Sequence, residues 1–335
     1  MKIIFADSLP EGKSGRYFSE KHRIRKAPGW QYCDARKYIH ANRHVWLAEL
    51  QAWHDEFSKI GQKRMSLWWI MPASRLIAWL PPMFSPLFFA LGVVHLCAEI
   101  KDEEIYILDG SIELARYIKE FCPDFSVIHE ADAGVRVENS LAVLRPLARM
   151  GRRSIRNLKN RWPAVTAADP LVYSEYLNEK NFQASGDHFF GRSFDNTEKK
   201  PVWFYLANMT DVKANRTLLD KIRSNGQEVL LINALTGFSD FCRIVLALIR
   251  IRLEVKAIGL KLPELLIGGQ RSHILPQIFF NQHLNHFLPL TELEIYFAMK
   301  KLQKKIDVRS FVYPYEEKGL ERAMLLALKD TSHPV

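Results

Sequence analysis

The chain opens on Ile3-Ile4-Phe5-Ala6, an unbroken apolar run between Lys2 and Asp7, and this pattern predicts a β-strand buried on both faces. Similar short runs recur. Ile105-Tyr106-Ile107-Leu108 stops at Asp109-Gly110-Ser111, and Ile112 to Phe121 then carries apolar residues at helical spacing, so strand, tight turn and helix follow in order. Phe125 to Ile128 reads as the next strand. Val202 to Leu206, a helix from Asn215 to Ser224 and a strand from Glu228 to Asn233 repeat the rhythm, and Leu265-Leu266-Ile267 and Val308 to Val312 complete the series. The expected class is α/β, with a parallel sheet flanked by helices. Leu76 to Ala98 is apolar and long enough on paper to span a bilayer, but Pro81, Pro82 and Pro86 break its first half and leave Leu87 to Ala98 as a helix of core size.

In such sheets a ligand sits beyond the carboxyl ends of the strands. The polar residues that end the runs are therefore the first candidates: Asp109, Ser111, Asn208, Thr210, Asn233, Arg271 and Glu316. Any one of them can equally be a turn former.

A second pattern is amphipathic. From Asn139 to Ala168 no residue is acidic, while Arg145, Arg149, Arg152, Arg153, Arg156, Lys159 and Arg161 supply positive charge. Leu144, Leu147, Ala148, Gly151, Ile155, Leu158 and Trp162 recur at helical spacing and predict one oily stripe on a basic insertion at about 139–165. Such a helix fits an interface beside anionic lipids, with Arg149, Arg152, Arg153 and Arg156 as contacts, and fits equally a helix docked on the sheet with a solvated basic face. Phe241 to Leu262 is also basic and apolar, but Ile249, Ile251, Leu253 and Val255 alternate with charged residues, so helix and strand both stay open there. Over 335 residues, 47 Lys and Arg against 37 Asp and Glu give a net charge of +10, which favours anionic partners without choosing among them.

Several chemistries drop out. Gly12-Lys13-Ser14 looks like the end of a P-loop, but the leading glycine would be residue 7, which is Asp7. No GxGxxG fingerprint and no GxSxG elbow occur. His40 with His44 and His283 with His286 lack the carboxylate context of a zinc hydrolase, and Cys33, Cys97, Cys122 and Cys242 form no CxxC pair, so no metal site is expected and a reducing cytoplasm fits. No Asp-x-Asp occurs, which argues against a metal-held nucleotide diphosphate and leaves a metal-free site built on helix N-termini and basic side chains.

Two segments carry a resemblance. Ser66-Leu67-Trp68-Trp69-Ile70-Met71-Pro72 followed by Phe84-Ser85-Pro86-Leu87-Phe88, and Val312-Tyr313-Pro314-Tyr315-Glu316-Glu317-Lys318-Gly319-Leu320-Glu321, are similar to motifs of a bacterial surface-carbohydrate (lipopolysaccharide O-antigen) biosynthesis family whose members look like GT-B glycosyltransferases. Leu320 stands where that family carries a tryptophan. The resemblance implies a Rossmann-like fold with an acceptor lobe and a lobe for a nucleotide sugar. It implies Glu316 and Glu321 as catalytic carboxylates, Tyr313 and Tyr315 as substrate contacts, and no cofactor beyond the donor sugar. Because the tyrosine-proline motif comes near the join of the lobes in that family and the sequence stops at Val335, the expectation is one Rossmann-like domain over 1–335, with 1–100 as an N-terminal strand and helical part, 101–335 as βα units, and the donor lobe absent or supplied by a second chain.

By its own chemistry Glu316 falls at the start of a helix through Met324 to Leu328, where a carboxylate is stabilised by the helix dipole; Glu316 and Glu321 are five apart and share no clean face. The functional expectation is sugar transfer to a lipid-linked glycan, in the cytoplasm or peripherally on the inner membrane. A non-catalytic membrane-peripheral scaffold or partner subunit is the alternative. Nucleic-acid binding comes third, since no nucleic-acid motif accompanies the charge.

Overall fold

The computed structural model describes residues 1–6, 8–19, 28–65, 67–71, 81–100, 104–108, 110–129, 135–156, 165–176, 190, 193–194, 198, 200–206, 217–220, 224, 226–281, 284, 288–314 and 319–330. Within these, the side chains of 36–43, 45, 70, 81–86, 98, 129, 135–144, 175–176 and 270 are not described. In chain order the main elements are β1 (Lys2–Ala6), β2 (Gly15–Ser19), β3 (Trp30–Tyr32), α1 (Ala35–Arg64), α2 (Pro81–Glu99), β4 (Glu104–Leu108), α3 (Ile112–Phe121), β5 (Ser126–His129) and α4 (Val135–Arg156). There follow β6 (Ala167–Ala168), β7 (Leu171–Tyr176), β8 (Val202–Leu206), β9 (Glu228–Leu231), α5 (Ile232–Leu235), α6 (Phe238–Gly259), β10 (Leu265–Ile267), β11 (Gln270–Ser272), α7 (Ile274–Phe280), α8 (Leu290–Leu302), β12 (Asp307–Val308), β13 (Phe311–Val312) and α9 (Gly319–Lys329).

The chain divides into two units where the sequence alone suggests one domain: Met1–Ser140 with Arg252–Phe287, and Leu141–Ile251 with Leu288–Val335. The physical reason is strand pairing. Among the described residues β1 to β5 form one sheet, and β7, β8, β9 and β13 pair only with one another.

In the first unit all five strands are parallel, in the order β3-β2-β4-β1-β5. Ile3, Ile4, Phe5, Ile105, Ile107 and Leu108 are buried, as continuous apolar runs require of strands covered on both faces. α1 turns large aromatics inward: Trp53 stacks on Phe57 at 5.3 Å, and both meet the ring of Phe279 on α7 edge-on. α2 begins at Pro81, earlier than its prolines predict: Pro81 and Pro82 fall in the first helical turn, where the missing N–H has no helical partner anyway, and Pro86 stands within the second turn. From Leu87 to Val94 every residue of α2 is buried, and Gly92 admits α1, since a Cβ there would lie 2.8 Å from the Ala35 carbonyl oxygen. No helix among the described residues is long and apolar enough to cross a membrane. Leu265 to Ile267 is not a parallel strand. It pairs antiparallel with β11 around Gly268-Gly269, whose φ values of 57° and 77° are those a two-residue hairpin turn demands.

In the second unit the order is β13-β7-β8-β9, again all parallel. Taken in chain sequence, the four strands lie in the spatial order 3-2-1-4, an order compatible with part of a doubly wound sheet. Trp203, Tyr205, Val172, Val229 and Leu218 form one of its apolar clusters, packed by Phe190 and Phe194. The strand expected over Glu228 to Asn233 stops at Leu231, and α5 follows as a single turn. α6 settles the ambiguity of Phe241 to Leu262 in favour of helix. Ile244, Leu248, Ile251, Val255 and Ile258 are buried at spacings of four and three, while Ile249 and Leu253 of the apparent alternation are 54% and 65% exposed.

α4 departs from its predicted stripe. Met150 and Ser154 are buried and Gly151 faces Phe241, whereas Ala148 and Ile155 point outward. The buried face is turned so that Arg153 looks inward, to an acidic partner described below.

Candidate functional site

Ligands of doubly wound sheets collect at the carboxyl ends of the strands, where neighbouring connections leave in opposite directions. In the second unit that point lies between β7 and β13, the first and fourth strands in chain sequence. Tyr313 directly follows β13 there, half-buried, with its ring stacked on Phe311 at 5.5 Å and 19°. Tyr315 and Glu316, two and three residues further on, lie outside the described residues. α9 then starts at Gly319 and carries Glu321 in its first turn. Glu321 is only 2% exposed, so it faces the packed side of α9. A carboxylate there is stabilised by the helix N-terminus.

Asn208 and Thr210, expected at the end of β8, and Asp109, at the end of β4, lie outside the described residues. Ser111 sits where β4 hands over to α3, and its Oγ accepts from the Leu114 N–H at 3.2 Å. That is an N-cap, so the hydroxyl is spent on the helix. Gly110 before it is required by space: a Cβ would come within 2.5 Å of the Phe5 ring. Arg271 is not at a parallel strand end. It lies on the β10–β11 hairpin, exposed, 3.9 Å from Glu264, whose other oxygen meets His273 Nε2 at 2.6 Å.

The four arginines of the basic helix divide. Arg149, Arg152 and Arg156 are exposed, as an anion-contacting face needs. Arg153 is not on that face: its guanidinium donates to Glu294 Oε1 on α8.

Glu294 is the centre of a buried polar network that sequence reasoning did not assemble. Thr236 Oγ1 donates to Glu294 Oε1 at 2.9 Å and Asn233 Nδ2 donates to Oε2 at 3.3 Å. One turn away Asp240 accepts from the Gly237 N–H at 3.0 Å, which closes a capping contact at the start of α6, and from Lys301 Nζ at 3.1 Å. Lys301 also donates to the Leu235 carbonyl at 2.9 Å. Two salt-bridged carboxylates thus fasten the β9–α5–α6 corner to α8. Of these residues the strand-end pattern singled out only Asn233. The missed signal was Glu294 itself, an acid on the stripe Leu290, Glu294, Ala298 and Leu302, all of them buried. β9 and β13 are three strand spacings apart, roughly 14 Å, so the network supports the sheet at a distance from Tyr313.

Among the described residues no group of His, Cys, Asp and Glu side chains could hold a metal ion. Burial pushes the Cys97 thiol up, with Cys122 and Cys33 nearby adding to the shift, which makes it a poor nucleophile and a poor ligand. Comparison of the chain with protein-family models, with curated proteins and with solved structures finds no match.

Proposed function

We propose that this chain is a metal-independent glycosyltransferase of the two-lobed GT-B type, acting in the assembly of a bacterial surface polysaccharide or lipopolysaccharide. The observation that carries the reading is the second parallel sheet. Tyr313 and Pro314 follow β13 at the reversal of that sheet's 3-2-1-4 order, where doubly wound sheets hold ligands, which supports a donor site there, and a first parallel-sheet unit is available for the acceptor.

The donor is a nucleotide sugar and the acceptor a lipid-linked glycan. In the transfer the acceptor oxygen forms the new bond to the sugar's anomeric carbon, the bond from that carbon to the nucleotide phosphate breaks, and the nucleotide leaves with the electron pair. Glu316 receives the acceptor hydroxyl proton, and Tyr313 and Tyr315 line the donor. The leaving phosphates are met by helix N-termini and basic side chains, in keeping with a sequence that lacks Asp-x-Asp. Glu321 acts through α9 as a positioning residue.

The test is transfer from a nucleotide-sugar panel to a short-chain, water-soluble acceptor. Glu316→Gln should lower kcat by at least about a hundredfold, the usual scale for a proton-transfer group. Turnover equal to wild type would remove Glu316 from the chemistry.

A further inference from the structure

α6 leaves a second apolar stripe on its outer side. Cys242, Leu246, Ile249, Leu253 and Leu260 are all exposed and follow one another at intervals of four, three, four and seven residues, with Lys256 completing the helical repeat. Leu246, Ile249, Leu253 and Leu260 are between 54% and 81% exposed, and Phe238 extends the apolar surface at the start of the helix. Three large aliphatic side chains in one row on α6, with Leu260 in the turn just after it, exceed the scattered singles of an ordinary surface.

Charge tells what covers them. Arg243 and Arg250 flank the row, one helical position beyond Cys242 and Ile249; Lys256 stands in the row and Lys261 follows the helix, both exposed. None of the exposed residues from Phe238 to Lys261 is acidic, because Asp240 is buried and Glu254 is half-buried. A second copy of the same helix would set arginines against arginines and would place Lys256 in its seam, which disfavours self-pairing. Nucleic acid answers the cations but not the leucines.

We propose that the outer face of α6 is a docking surface for an anionic lipid bilayer, lying in the interface with its leucine row toward the acyl chains and its arginines and lysines among the headgroups. The surface differs in character from the exposed arginines of α4, whose face is cationic and, among the described residues, carries one exposed large apolar residue, Ile155. It extends the proposed function by naming where a lipid-linked acceptor would be met, and it rests on that reading only for this purpose.

The experiment is vesicle co-sedimentation of the full chain at physiological salt, with phosphatidylcholine alone and with phosphatidylcholine containing phosphatidylglycerol. Wild type should pellet with the anionic vesicles and stay in solution with the neutral ones. Leu246→Gln, Ile249→Gln and Leu253→Gln together keep helix propensity and should lower partitioning about tenfold or more. Arg149→Ala with Arg152→Ala and Arg156→Ala should lower it less. Equal partitioning of the glutamine variant and wild type, or no wild-type binding to anionic vesicles, would overturn the proposal. So would a wild-type dimer in sedimentation equilibrium that the glutamine variant dissolves, since the second copy would then be the occupant. Transfer to the water-soluble acceptor should be unaffected in the glutamine variant, so the docking surface and the proposed activity can fail separately.

Discussion

Arg153 and Glu294 are 141 residues apart in the chain and meet as a buried ion pair, so that Arg153 lies off the exposed face of Arg149, Arg152 and Arg156. The carboxylate is 4% exposed and the guanidinium 16% exposed, so neither charge is solvated enough to stand alone. Arg153→Ala should therefore destabilise the chain by about 3 kcal/mol, the cost of an uncompensated buried charge. Arg149→Ala and Arg152→Ala, on the exposed side, should stay within about 0.5 kcal/mol of wild type. Urea denaturation read by circular dichroism separates the two outcomes, and equal midpoints for all three variants would contradict an inward Arg153.

Thr236 supplies a hydroxyl donor to the same carboxylate at 2.9 Å. Thr236→Val keeps the shape and removes the donor, leaving Glu294 short of one hydrogen bond in a buried setting. The expected loss is about 1–3 kcal/mol in the same titration, whereas Thr236→Ser should recover most of it.

Gly110 lies against Phe5 with no room for a side chain, since a Cβ would sit 2.5 Å from two ring carbons and 3.0 Å from Ile107. Gly110→Ala should cost about 1–3 kcal/mol through overpacking at the β4–α3 turn. Ser111→Ala, next to it, should cost about 1 kcal/mol through the lost cap, and Ser111→Asp should restore it. Recovery of stability by Asp together with unchanged substrate binding would identify Ser111 as a cap alone.

His95 stacks on Trp46 at 6.2 Å, and burial lowers its pKa from the ordinary 6.5, with Glu99 partly offsetting the shift. The unfolded chain therefore takes up this proton first as pH falls through 6.5, so the contribution is present above that value and lost progressively below it. Comparing the denaturation midpoint at neutral and mildly acidic pH should show a smaller acid loss for His95→Gln than for wild type. Parallel losses would assign the acid sensitivity to other groups.

The sequence was most legible where burial on both faces leaves continuous apolar runs. β1, β4, β8 and α3 stand within a residue of the runs Ile3 to Ala6, Ile105 to Leu108, Val202 to Leu206 and Ile112 to Phe121. Two things were not legible. The division into two sheets depends on which strands pair, and short apolar strands such as β1 and β8 give no local sign of belonging to different sheets. The face α4 buries includes Arg153, whose partner is a carboxylate on α8, distant in the chain and invisible to the apolar spacing of Leu147, Ala148 and Ile155. Leu265 to Ile267 was read by its composition alone, although the Gly268-Gly269 pair after it is a hairpin signal. The candidate site divides in the same way. Tyr313 was placed correctly at a strand end by its proline and aromatic neighbours, while Ser111 and Arg271 satisfy the strand-end pattern for local reasons, a cap and a hairpin.

The central claim is that the carboxyl edge of the second sheet, at Tyr313, holds a nucleotide sugar. It is tested most directly by calorimetric titration of the full chain with a panel of nucleotide sugars, alongside Tyr313→Ala and Arg271→Ala. The account predicts saturable one-to-one binding of at least one donor, weakened about tenfold or more by Tyr313→Ala, the scale of a lost aromatic contact, and unchanged by Arg271→Ala. Absence of binding to every donor, or binding that Tyr313→Ala leaves intact, would contradict it.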